Sequence, residues 1–217
     1  MRITAHRADR PLDGARATDL TRLRAFVYDF AALLSQTNDE ALILELGGAF
    51  LGDLVAHDDW LPDVFAAPSE GPYAQYLLHC DSLERFSIVS FVWSPGQGTP
   101  VHDHTVWGLV GVLRGAEISE PYARSPEGLA PTGEPVRLGA GQVEAVSPRI
   151  GDIHRVANAF SDRISVSIHV YGGNIGALER STFDLSGRSR RFVSGYSNTL
   201  TPNLWNGLVT PRRRLDA

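Results

Sequence analysis

The chain has 217 residues, 43% of them hydrophobic, and a formal net charge of −5. That is enough apolar material for a sizeable core, and it excludes a mostly disordered polymer. The acidic balance leaves no cationic surplus to neutralise phosphates, which argues against nucleic acid as a partner. No apolar run approaches the roughly 20 residues of a membrane span. The single cysteine, Cys80, excludes an internal disulfide and a CxxC metal site. All 20 cations are arginines, which excludes Schiff-base and P-loop lysine chemistry. Met1–His6 carries no apolar signal-like segment, so a cytoplasmic protein is expected.

Residues 1–72 read as a helical segment. Leu23, Phe26, Val27, Phe30, Leu33 and Leu34 follow the i, i+3, i+4, i+7 spacing of one apolar helix stripe. Thr37-Asn38-Asp39-Glu40 has the form of a capping box, with Glu40 three residues after Thr37. The helix it opens is expected to end near Gly47, Gly48 or Gly52, and a third short helix is expected over Trp60–Phe65.

From Tyr73 the period becomes two. Strands are predicted at Arg85–Trp93, Val106–Arg114, Glu117–Tyr122, Gln142–Val146, Ile153–Ala157 and Ile164–Tyr171, separated by clusters of Gly, Pro and Ser. Short strands without intervening helices predict a sandwich or barrel over residues 73–180. Residues 181–217 read as a polar, arginine-rich extension over the barrel, with one strand near Arg191–Val193.

Two patterns carry chemistry. In Pro100-Val101-His102-Asp103-His104, alternation puts His102 and His104 on one face of a strand and Asp103 on the other. Two imidazoles on one face can share a metal, and His154 in Gly151-Asp152-Ile153-His154 is the third candidate. A site of three neutral histidines leaves the full charge of a divalent ion for anionic ligands, and ligand type does not choose between iron and zinc. In the second pattern, Ile164, Val166, Ile168 and Val170 alternate with Ser165, Ser167, His169 and Tyr171. The polar set either faces solvent or forms a row in which Ser167 orients His169 and His169 orients the Tyr171 hydroxyl. His6, His57 and His79 have no motif around them.

The spacing of Gly96, His102, His104 and Gly115, followed by Gly141, Pro148, Gly151, His154 and Asn158, resembles the two motifs of the cupin superfamily. That resemblance implies a mainly β fold, a double-stranded β-helix (jelly-roll) barrel, here with N-terminal α-helices. Gly108 stands where the first cupin motif usually carries a glutamate ligand; the nearest acid, Glu117, lies well beyond that spacing. Joined to the Ser167/His169/Tyr171 row, the run His102–Gly108 and His154 resemble the thiol dioxygenases of the cysteine dioxygenase family. The resemblance implies one mononuclear Fe(II) on His102, His104 and His154, and transfer of both atoms of O2 to the sulfur of a small thiol. It also implies catalytic roles for Tyr171, His169 and Ser167, and substrate binding by Arg180, Gln75 and Tyr171.

Cysteine dioxygenases carry a substrate-binding arginine in a Tyr-x-Arg stretch, and here Tyr73-Ala74-Gln75 stands in its place. The animal enzymes also carry a cysteine that crosslinks to the strand tyrosine, and the aligned residue here is Gly108. Both departures resemble the 3-mercaptopropionate branch, in which a downstream arginine, matched by Arg180, lies near the carboxylate. Cysteine or mercaptosuccinate as substrate, and a non-redox metal-binding cupin, are the other readings.

Overall fold

The computed structural model describes residues 19–202; His6 and the end of the arginine-rich tail lie outside the described residues. Helix α1 (Thr21–Gln36) buries Leu23, Phe26, Val27, Phe30 and Leu33, the stripe expected from their spacing. Helix α2 (Glu40–Val55) starts two residues later than a Thr37 cap would place it. Asp39 is the N-cap, and its carboxylate accepts from the Ala41 amide at 3.0 Å. Glu40 does not close the box, because its carboxylate is taken by the Ser147 hydroxyl and Arg149.

α2 is expected to end near Gly47, Gly48 or Gly52; it passes through the first two and ends at Val55, three residues beyond Gly52. A Cβ at Gly47 would meet the Phe30 ring at 2.7 Å and Leu109 at 3.2 Å. Glycine costs about 1 kcal/mol in a helix interior, and here the close approach of helix to neighbours offsets it. The third helix is also shorter than expected, a 3-10 turn at Asp63–Phe65. Pro62 bars the helical conformation for the residue before it.

Twelve strands follow: β1 (Ala74–Cys80), β2 (Ser87–Trp93), β3 (Val101–His102), β4 (Gly108–Arg114), β5 (Ala116–Ser125), β6 (Gly128–Pro131), β7 (Val136–Gly139), β8 (Val143–Val146), β9 (His154–Asn158), β10 (Ser165–Tyr171), β11 (Arg180–Phe183) and β12 (Ser189–Phe192). One sheet runs β1-β2-β10-β4-β8. The other runs β12-β11-β3-β9-β5, with β6 and β7 also paired to β5. Every pairing is antiparallel, and the two sheets face each other as a cupin-type double-stranded β-helix.

β10 shows how the sequence pattern becomes architecture. All seven of its residues are buried. Val166, Ile168 and Val170 join the core cluster that holds Phe26, Phe30 and Leu51 of the helices. Ser165, Ser167, His169 and Tyr171 therefore turn into the barrel, and the polar face meets protein instead of solvent. The helices thus close the outer face of the five-stranded sheet, which frees its inner face to carry chemistry.

The turn from β4 to β5 depends on Gly115, with φ +77°. A Cβ there would meet the Ser165 hydroxyl oxygen at 2.4 Å. That hydroxyl donates to the Ala116 carbonyl at 2.9 Å and accepts from the Ala116 amide at 3.1 Å. Gly115→Ala combines left-handed strain with a clash against the Ser165 hydroxyl that ties the turn together, and a loss of about 2–4 kcal/mol is expected in urea unfolding. An unchanged midpoint would show that the turn relaxes freely.

Candidate metal centre

Three short segments bring the histidines together. β3 pairs with β9 so that His102 lies directly opposite His154. His104 follows β3, where Thr105 turns the chain with φ +63°. The Asp152 carboxylate accepts from the amides of His104 and Thr105 at 3.0 and 3.2 Å and pins that turn. The three ring centroids stand 4.9 Å apart in each pair. One ligand nitrogen from each histidine lies within 4.8 Å of the other two. All three side chains are buried.

The outer nitrogens are also occupied. His102 Nδ1 faces the Pro100 carbonyl at 3.1 Å, His104 Nδ1 faces the Asp152 carbonyl at 3.2 Å, and His154 Nδ1 faces the Ser119 hydroxyl at 3.3 Å. A carbonyl can only accept, so the Nδ1 atoms of His102 and His104 carry the protons and their Nε2 atoms are left as ligands. Burial lowers all three pKa values, His102 to about 4, and the neighbouring imidazoles push His104 and His154 down further. The rings are neutral at physiological pH, the form a metal requires. Nitrogen-only donors, all buried and neutral, fit a divalent first-row ion. Asp103 points away, as expected from alternation; its carboxylate accepts from the Ser181 amide at 2.8 Å.

Beside this centre runs a hydrogen-bonded row along β10. His169 Nδ1 and the Tyr171 hydroxyl are 2.8 Å apart, as are His169 Nε2 and the Ser167 hydroxyl. The Trp93 indole N–H donates to Ser167 at 3.2 Å. Burial drives the His169 pKa down to about 3, so the ring is neutral and passes hydrogen-bond direction from one end to the other. Burial also raises the Tyr171 pKa, which keeps the phenol protonated. Tyr171 stacks on His104 at 5.5 Å and pairs across the sheet with Gly108. A Cβ at Gly108 would lie 2.9 Å from the tyrosine ring.

The centre opens into a cavity of about 560 Å3, lined by the three histidines, His169, Tyr171 and Arg180, with Tyr73, Phe91 and Trp93 as aromatic walls. Arg180 is 4% exposed. Its Nη2 donates to the Ser194 hydroxyl at 2.7 Å, its guanidinium lies 4.7 Å from the Phe192 ring centre, and its Nε has no partner. No carboxylate pairs with it among the described residues. A buried cation left this way is set to receive an anion.

Gln75 is not on the cavity wall. Its Nε2 donates to the Ser194 hydroxyl at 3.1 Å and to the Gly195 carbonyl at 2.9 Å, and it borders a smaller adjoining hollow. It holds the serine that holds Arg180. Trp107 likewise packs into the core, 5.9 Å from the Phe30 ring. Arg190, Arg191, Phe192 and Val193 line the cavity from β12, the strand expected near Arg191–Val193, and the residue after it; the sequence reading gave them no part in the site. Ser119 was also missed. Its place two residues beyond Glu117 on one strand face is a weak signal that only the barrel geometry makes readable.

The chain is 26% identical over 153 residues to cysteine dioxygenase type 1 of Danio rerio, covering 68% of this chain and 69% of the relative. Among solved structures, a conserved Klebsiella pneumoniae protein with a double-stranded β-helix domain is 20% identical, with TM-score 0.42, covering 54% of this chain and 93% of the other. A cupin superfamily protein of Desulfitobacterium hafniense is 14% identical, with TM-score 0.41, covering 54% and 94%. The profile of cysteine dioxygenase type I matches residues 73–181, half of the chain and the whole of the three-histidine centre and its β10 row, and the chain belongs to that family.

Proposed function

We propose that the protein is an Fe(II)-dependent thiol dioxygenase that converts 3-mercaptopropionate and O2 to 3-sulfinopropionate. The observation that carries this reading is the buried, carboxylate-free guanidinium of Arg180 in the same cavity as the three-histidine centre. His102, His104 and His154 would hold an iron(II) ion, which would supply the redox chemistry that joins O2 to sulfur.

The protein side of the reaction is binding and orientation. Arg180 offers planar donors to the substrate carboxylate. Ser194, gripped by Gln75, sets the angle of the guanidinium. Tyr171 presents a protonated hydroxyl beside the centre and is held by His169 and Ser167. The aromatic walls exclude water and keep the thiol in one orientation. The stoichiometry closes: R–SH and O2 give R–SO2H with no external reductant.

Among the described residues the cavity lining contains no aspartate or glutamate. The ammonium of cysteine would enter beside Arg180 with no anionic partner, which costs binding energy that 3-mercaptopropionate does not lose. A second carboxylate on the thiol, as in mercaptosuccinate, is the other reading with an observation behind it, because Arg190 reaches the same cavity from β12. The test is oxygen uptake by the Fe(II)-loaded protein with 3-mercaptopropionate, L-cysteine, cysteamine and mercaptosuccinate, with sulfinate quantified. The expected result is preference for 3-mercaptopropionate. Preference for cysteine overturns the specificity, and no uptake with any thiol at full iron loading overturns the reaction class.

A further inference from the structure

Behind the Ser167 end of the β10 row, away from the cavity, lies a carboxyl group to which the reaction above gives no role. Glu117 on β5 is completely buried, and among the described residues neither of its oxygens has a partner in full hydrogen-bonding geometry, the nearest polar groups being those of Ser167 and Trp93. It faces the Ser167 hydroxyl and the Trp93 indole. The paired positions on the strands beside it are Asn158 of β9 and Leu138 of β7. The charged group it meets is Glu144 of β8, of the same sign. Nothing on the barrel wall neutralises it, so the residue is expensive where it stands.

We propose that Glu117 is a positioning residue for the oxidation, whose proton decides which way the Ser167–His169–Tyr171 row points. The argument is one of donors and acceptors. His169 is neutral, so one ring nitrogen donates and the other accepts. With Glu117 protonated, its O–H donates to Ser167, Ser167 donates to His169 Nε2, and His169 Nδ1 donates to the Tyr171 oxygen. The tyrosine O–H is then left to donate into the cavity. With Glu117 ionised, every bond reverses. Ser167 donates to the carboxylate, His169 Nε2 donates to Ser167, and the Tyr171 O–H donates inward to His169 Nδ1. The cavity then meets only the lone pairs of the tyrosine. Trp93 donates to Ser167 in both arrangements, so the indole fixes the serine without choosing a direction.

Burial, reinforced by Glu144, raises the Glu117 pKa to about 7. The donating form of Tyr171 therefore dominates below neutrality and is lost as pH rises through that value. Glu117 does not line the cavity, and its effect reaches the substrate through the row. The inference rests on the dioxygenase reading for its consequence in turnover, but its proton arrangement is measurable without substrate.

The experiment is infrared titration of the iron(II)-loaded protein from pH 5 to about 9, with turnover measured in parallel. The wild type is expected to lose a protonated-carboxyl band near pH 7 that is absent in Glu117→Gln. The Tyr171 C–O stretch, assigned by difference against Tyr171→Phe, is expected to shift with the same midpoint. Ser167→Ala keeps the carboxyl band and breaks its link to the tyrosine, and it carries the test if Glu117→Gln does not fold. In turnover, kcat falls about 10-fold on the alkaline side of that midpoint, while in Glu117→Gln, whose amide still donates to Ser167, the fall disappears. A carboxyl band that titrates with no shift in the tyrosine overturns the proposal, as does a Glu117→Gln profile identical to wild type. Coupled infrared shifts with no oxidation of any thiol uphold the proposal and refute the dioxygenase reading instead.

Discussion

His154→Ala protein is expected to lose its metal on dialysis and to show no oxygen uptake with any thiol. The reason is the way the three ligands are mounted. His102 and His104 leave β3 and its turn from one side, and His154 enters from β9 directly opposite. Without His154 the remaining pair holds an ion from one side only. Losing an outer-shell partner costs a metal site about 10–100-fold in affinity, so loss of a ligand should exceed that range. Ser119→Ala calibrates the scale, because it removes the partner of His154 Nδ1 and leaves the ligand in place; a decrease within that 10–100-fold range is expected. Metal analysis after dialysis and titration calorimetry read both variants. Burial already holds the imidazoles neutral, so the contrast persists at pH 6 as at pH 7.5. Full metal retention with normal uptake in His154→Ala would remove His154 from the ligand set.

The three-histidine cluster was legible in the sequence because strand geometry leaves little choice. An H-x-H pair shares a face, and a third histidine inside a glycine-spaced turn is brought opposite it by the barrel. The β10 row was half legible. Alternation revealed two faces but not what lay against each, and the answer came from α1 and α2, which cover the apolar one. Helix length was misread because Gly47 looks like punctuation when isolated from Phe30 and Leu109, the groups that need its missing side chain. Strand β1 escaped because Ala74–Cys80 does not alternate, and a bulge between Leu77 and His79 shifts its register. Gln75 and Arg180 share no readable spacing with each other or with either motif, yet both converge on Ser194 through the fold. Glu117 was passed over as an acid too distant to be a ligand; its meaning lies in what stands across the barrel, which a linear reading does not contain.

Arg180→Gln is expected to raise KM for 3-mercaptopropionate about 10–100-fold, the loss of a charge-assisted hydrogen-bonded pair worth about 1.5–3 kcal/mol. kcat at saturation should fall less, since Arg180 holds the carboxylate and not the sulfur. A short alkanethiol without a carboxylate supplies the control, because its KM should be indifferent to the substitution. Arg180→Lys should recover only part of the loss, because an ammonium offers no planar fork to reach a carboxylate while keeping Ser194. Stability should move the other way. The free protein buries a cation without a carboxylate and leaves Nε unpaired, so Arg180→Gln removes a desolvation cost and its Tm should hold or rise. That pairing of a weaker KM with an undiminished Tm separates a binding role from a structural one. A lowered Tm with unchanged KM would make Arg180 a structural prop of β11 and β12, and the carboxylate would have to be sought at Arg190.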